Sequence, residues 1–148
     1  MSVLASIKTL LEADATLLAS ATGGIFDWEE TGRLGISRTS TPAAYDVNGL
    51  LLPCLLLRLR AAVPDWVLAD DANQYVAVRE TLEVWLYQDS GYATIEAMRD
   101  RCYALLHTKQ VTNAFAIRWQ GDWRSQHDMV INASLERSDY LVYTRKFV

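Results

Sequence analysis

The sequence predicts an α+β fold, a mostly antiparallel sheet flanked by two helices in a single domain, and two adjoining periodicities are the basis for it. From Tyr75 to Tyr87 the chain alternates with a period of two. Val76, Val78, Leu82, Val84 and Leu86 fall on one side, with Tyr75, Ala77, Arg79, Thr81, Glu83, Trp85 and Tyr87 on the other. Past Asp89-Ser90-Gly91 the apolar spacing changes to three or four, through Ile95, Met98, Cys102, Leu105 and Leu106. A half-buried strand feeding straight into an amphipathic helix supplies both layers of an α+β core.

The other elements follow in chain order. Residues 3–21 read as the first helix: Val3, Leu4, Ile7, Leu10, Leu11, Leu17 and Leu18 form its apolar stripe, with Lys8, Glu12 and Thr16 opposite. Gly23-Gly24 stops it, and Ile25 to Trp28 alternates as a short strand. Residues 29–49 show no period, and loops this long inside a compact domain tend to be functional or disordered. Pro53 opens a strand in which Leu55, Leu57, Leu59, Ala61 and Val63 face one way, and Arg58 and Arg60 the other. Pro64 ends it, and residues 65–73 connect it to an antiparallel neighbour beginning at Tyr75. The second helix runs to about Lys109, where His107 and Lys109 suit its C-terminal dipole. Strands are expected at 115–119 and 129–131, flanking Gly121-Asp122. A long terminal strand over 135–147 carries apolar residues on both sides, as a central or subunit-covered strand does.

One domain spanning residues 1–148 is the natural reading of this length, and 51% hydrophobic with 22% charged residues is globular composition. A net charge of −4, with 14 scattered basic residues, argues against a sequence-independent grip on nucleic acid. The longest apolar run, Leu50 to Leu57, is far short of the ~20 residues that span a bilayer. The opening Met1-Ser2-Val3-Leu4 reads as helix, not as a signal peptide. Cys54 and Cys102, each among apolar neighbours, read as buried thiols of a protein made in a reducing compartment.

The chain holds no pattern of a catalytic, cofactor or metal site. Neither His107 nor His127 has partners at metal-ligand spacing. Gly23-Gly24 and the glycines at 32 and 35 lack the context of a phosphate loop, and no serine sits in a nucleophile elbow. Cys102 and His107 point about 140° apart on a helix, which rules them out as a nucleophile–base pair. Glu29-Glu30 and Asp70-Asp71 read as solvated charge. Glu80 interrupts an apolar strand face and is expected to pair with Arg58 or Arg60 across the hairpin. Trp85 and Tyr87, with Tyr75, crowd the nominally wet face of their strand, which suits cross-strand packing or a contact between proteins.

Taken together, Leu-Leu-Glu-Ala-Asp-Ala-Thr-Leu-Leu-Ala (10–19) running into Gly-Gly-Ile-Phe-Asp-Trp (23–28), a Pro-led strand pair, a helix entered through Asp-Ser-Gly-Tyr (89–92), and a close on Glu-Arg-Ser-Asp-Tyr-Leu-Val-Tyr (136–143) resemble the tail terminator (tail completion) proteins of long-tailed bacteriophages. The resemblance covers nearly the whole chain and rests on element order and length. It implies a structural virion protein of the tail or neck, assembled in the host cytoplasm, with no catalytic residues and no cofactor. Such subunits form a ring, commonly a hexamer, which would weigh about 100 kDa here. The ring caps the tail tube, ends polymerisation and joins the head-tail connector, with DNA passing through its lumen without specific binding.

The candidate partner-binding residues lie in the two loops and on the aromatic strand face: Arg33, Arg38, Trp66, Asp70, Asp71, Tyr75, Trp85 and Tyr87. Two other readings fit the same chain. One is a different head-tail neck or connector component. The other is a small-ligand-binding or enzymatic α+β domain, which needs convergent polar groups in a pocket between the second helix and the sheet.

Overall fold

The computed structural model describes residues 2–64 and 75–147. The α+β fold is as expected, except that the first helix is two. Helix α1 (Val3–Glu12) is capped by the Ser2 side chain, which accepts from the Ala5 N–H, and α2 (Ala15–Ser20) is capped by Asp14. The break follows from chemistry. Asp14 Oδ2 accepts the Leu17 N–H at 2.8 Å, a short-range bond that competes with continuing the helix.

Strand β1 (Gly24–Asp27) pairs in parallel with β2 (Cys54–Pro64), and β2 pairs antiparallel with β3 (Tyr75–Gln88). Helix α3 (Ala93–Leu106) then crosses to β4 (Ala116–Asp128), and β5 (Ala133–Phe147) returns between β3 and β4, giving the sheet order β1-β2-β3-β5-β4. The β3–β5 ladder runs in unbroken register from Tyr75 opposite Phe147 to Gln88 opposite Ser134.

The parity read from the sequence places the main core. Leu55, Leu57, Leu82, Val84, Leu86, Ile117, Tyr140 and Val142 face the helices and meet Leu4, Ile7, Leu11, Leu17, Ile95, Met98, Cys102 and Leu106. A second cluster lies on the opposite face, where Cys54, Leu56, Tyr87, Ala133 and Leu135 are covered by Ile36, Ala44 and Leu51. The 29–49 segment, expected as a loop without a period, therefore folds back with Leu51 over one end of the sheet, with a 3₁₀ turn at Pro42–Ala44. Both cysteines are free and buried.

The last third differs from expectation. Gly121-Asp122 is not a turn but lies inside β4, beside a bulge between Trp119 and Gly121; a glycine within a strand pattern often marks such a bulge. The 129–131 segment is not a strand but the turn between β4 and β5, held by Asp128 Oδ1 accepting the Val130 N–H at 2.9 Å, with Val130 93% exposed. His107 ends α3 in a further role: its Nδ1 accepts the Trp119 N–H at 3.0 Å and its ring stacks on Tyr103, tying the helix end to β4.

Arg101 anchors α3 to the α1–α2 break through a bidentate pair, Nε and Nη2 donating to the two Asp14 oxygens at 2.9 and 2.6 Å. That pair, then the Leu17 N–H, holds the Asp14 carboxyl down at about 2. A carboxyl held below its unfolded value stabilises the fold above that value and loses the contribution as pH falls through the folded one. Asp14→Asn keeps a capping oxygen but drops the charge. Thermal melts should show the native protein more stable than Asp14→Asn at neutral pH, with the gap closing between pH about 4 and about 2. A gap that persists unchanged at the acid end contradicts this account of the anchor.

Candidate assembly surface

Among the described residues, the helices cover one face of the sheet, and the 29–52 segment covers only one end of the other. What remains open is built by strand parity. Register places Arg58 opposite Glu83, Glu83 opposite Asp139, and Arg137 between Trp85 and Trp123. All of these side chains point away from the helices, because Leu57, Leu82, Val84 and Tyr140 beside them point toward the helical core.

Two carboxylates lie at the centre of this open half, almost out of contact with solvent: the Glu83 side chain is 3% exposed and Asp139 2%. Three arginines surround them. Arg58 Nε is 3.7 Å and Arg60 Nε 3.5 Å from Glu83, Arg137 Nη1 3.6 Å from Glu83, and Arg60 Nη2 3.8 Å from Asp139. Arg137 Nε and Asp139 Oδ1 are 3.0 Å apart without hydrogen-bond alignment, so among the described residues both atoms, like Glu83 Oε1, have no hydrogen-bond partner. Burial pushes the Asp139 carboxyl above the usual carboxylate range, ahead of the opposing pull of Arg137. The guanidinium groups also lie over aromatic rings, Arg58 4.5 Å from the Trp28 centroid and Arg137 4.4 Å from that of Trp123 and 5.4 Å from that of Trp85.

Glu80 takes no part in this cluster, which corrects the pairing expected for it. It shares the parity of Leu82 and faces the helix side, whereas Arg58 and Arg60 project from the opposite face, where Glu83 stands. Glu80 instead accepts a 3.4 Å hydrogen bond from Thr144 Oγ1 at the sheet end beyond the helices, and burial raises its pKa. It lines an open recess of about 680 Å³ with Val3, Gln110, Val111 and Phe115. The helix side holds a second polar cluster that the spacing did not reveal. Arg99 Nη1 donates to Glu136 Oε1 at 2.7 Å, the Ser125 N–H donates to Glu136 Oε2 at 3.0 Å, and Ser138 Oγ donates to Asp122 at 2.7 Å. These bonds pin α3 to β4 and β5.

The residues singled out in the sequence are dispersed. Trp66, Asp70 and Asp71 lie outside the described residues, as does the side chain of Tyr75. Trp85 is half-buried at the border between the second cluster and the open half, beneath Arg137. Tyr87, expected on a wet face, is buried under the chain's own 29–52 segment. Arg33, exposed and with a left-handed φ of 65°, lines a recess with Trp28, Arg58 and Arg60. Arg38 turns inward on its own loop: Nη2 donates to the Gly49 carbonyl at 2.7 Å, and the guanidinium lies 5.5 Å from the Tyr45 centroid. Sequence reasoning missed Arg58, Arg60, Arg137, Glu83 and Asp139 as a group, though the alternation through Arg58, Arg60 and Glu83 carried a signal for three of them.

Among the described residues no group of three or more His, Cys, Asp or Glu is placed to hold a metal ion, and no helix is long and apolar enough to cross a membrane. No protein-family model matches the chain, and no curated protein does. The fold is similar to that of a chain in a solved structure titled "Virion of native gene transfer agent (GTA) particle", with a TM-score of 0.61 and 13% identity over 97% of this chain and 93% of that one. At that identity the likeness is one of fold.

The two loop arginines should now separate. Arg33→Ala should change stability by less than ~0.5 kcal/mol, as surface substitutions do, whereas Arg38→Ala loses a charged hydrogen bond that closes the loop and should cost about 1 kcal/mol. Urea denaturation of both variants checks this. Equal midpoints would show that the Arg38–Gly49 bond does not hold the loop.

Proposed function

We propose that this chain is a structural protein of a phage-like virion, whose copies form a ring that caps the tail tube, stops its polymerisation and joins it to the head-tail connector. The observation that carries the reading is the shared fold. It extends over 97% of this chain and 93% of a chain in a gene transfer agent virion. The organisation of the surface supports it: a capping subunit presents different faces to different neighbours, and this sheet has one face under helices and another half open, with paired charges.

A hexameric ring is the stoichiometry that the tail-terminator resemblance supports. Tube subunits meet one side of it and the connector the other. DNA crosses the lumen without specific binding, a reading supported by the chain's net charge of −4. The protein works in the tail or neck after assembly in the host cytoplasm. In this reading it catalyses nothing and needs neither cofactor nor membrane.

Inactivating the gene in the particle that encodes it tests the reading. Electron microscopy should show filled heads without joined tails, together with tubes of irregular or excessive length. Tails of normal, uniform length attached to heads would overturn the capping role. Normal free tails beside unjoined heads would assign the protein to another neck component.

A further inference from the structure

The open half of the sheet and the outward face of α3 are complementary in charge. On the sheet, Arg58, Arg60, Arg118 and Arg137 project from the face away from the helices. The acids of that face are sunk beneath them. Arg60 keeps 49% of its side chain exposed, while Glu83 and Asp139 keep almost none. The surface presented outward is therefore cationic, with Trp85 and Trp123 at its edge, on a chain that is acidic overall.

Helix α3 shows the reverse. Ile95, Met98, Cys102 and Leu106 turn inward, which leaves Ala93, Glu96, Ala97, Asp100, Tyr103 and Ala104 exposed along one stripe at spacings of three and four. Three alanines make the stripe shallow, so another surface can approach closely, and its charged groups are Glu96 and Asp100. Beneath the arginines, Glu83 Oε1 and Asp139 Oδ1 are buried and, among the described residues, accept no hydrogen bond, though each lies in an ion pair, 3.7 Å from Arg58 Nε and 3.0 Å from Arg137 Nε. Buried polar atoms left in that state are uncommon and costly.

We propose that these surfaces meet between copies of this chain, the acidic face of α3 in one copy seating on the arginine-bearing half of the sheet in the next. The α3 carboxylates give the exposed arginines acceptors across the contact. Burying Trp85 and Trp123 adds aromatic area of the kind that anchors interfaces. Because the two surfaces differ and lie on the two sides of the sheet, the contact is head-to-tail, the type that builds rings. The inference rests on the ring reading above only for closure of the assembly. The contact itself is a property of the purified chain.

The test is reciprocal charge reversal, read by sedimentation velocity and native mass. The native protein should associate beyond the monomer, and association should weaken at least ~10-fold when salt is raised across the range that screens exposed charge. Arg118→Glu, on the exposed sheet face, and Glu96→Arg should each sediment as monomer while keeping the native melting transition. Mixing the two should restore association, because every contact then pairs opposite charges again. Arg60 is left native, because its reversal would break the buried ion pairs with Glu83 and Asp139. Native protein that stays monomeric, single variants that associate like the native chain, or folded variants whose mixture stays monomeric would each overturn the contact. Charge-dependent association together with normal tails in the gene-inactivated particle would remove the capping role and leave the contact standing.

Discussion

The β3–β5 ladder is the constraint on which the rest depends. It holds fourteen residues of β3 in continuous register against β5, with β2 bonded to the other edge of β3. With the side-chain period fixed at two, this register decides which residues face the helices and which face away, and a slip of one residue would exchange them all. Leu82, Val84 and Leu86 therefore meet the helical core, while Thr81, Glu83 and Trp85 cannot. Most of the tertiary structure serves to cover the faces so defined.

The two faces are completed by different means. Three helices and a set of aliphatic side chains close the first, where burial of each large side chain contributes ~1.5–3 kcal/mol before entropy is counted. The chain closes only the apolar end of the second, with Ile36, Ala44 and Leu51. Beyond that end the strands carry Glu83 and Asp139 among arginines. Breaking a buried ion pair by removing one partner costs more than the intact pair contributes, so the centre of the sheet is tied to this cluster although the cluster adds little net stability. The open half is thus built on paired strands and charged in its outline, two properties that suit recognition.

Much of this was legible in the sequence, because the strong signals were periodic. Alternation through Val76–Tyr87 located the central strand and its faces, and the spacing of Ile95, Met98, Cys102 and Leu106 located the helix that packs on it. What lacked a period was misread. Ile36, Ala44 and Leu51 are too far apart along the chain to declare a common surface, so their segment looked like an open loop. Gly121 resembled a turn because a bulged strand and a hairpin both call for glycine. Met129-Val130-Ile131 resembled a strand because three apolar residues in a row carry no indication of burial, which for Val130 is almost nil. The arginine–carboxylate cluster joins Arg58 to Arg137, and a pairing that distant in the chain is set by strand order, which local patterns do not encode.

The open half of the sheet is, in the proposed reading, an assembly surface within a virion. Electron cryomicroscopy of the assembled particle tests it most directly, by resolving this chain at the junction of tail and head. The account predicts a closed ring of copies between tube and connector, with Arg60 and Arg137 of each copy covered by α3 of its neighbour. Copies found elsewhere in the particle, or a ring in which Arg58, Arg60 and Arg137 face solvent while other surfaces make the contacts, would contradict it.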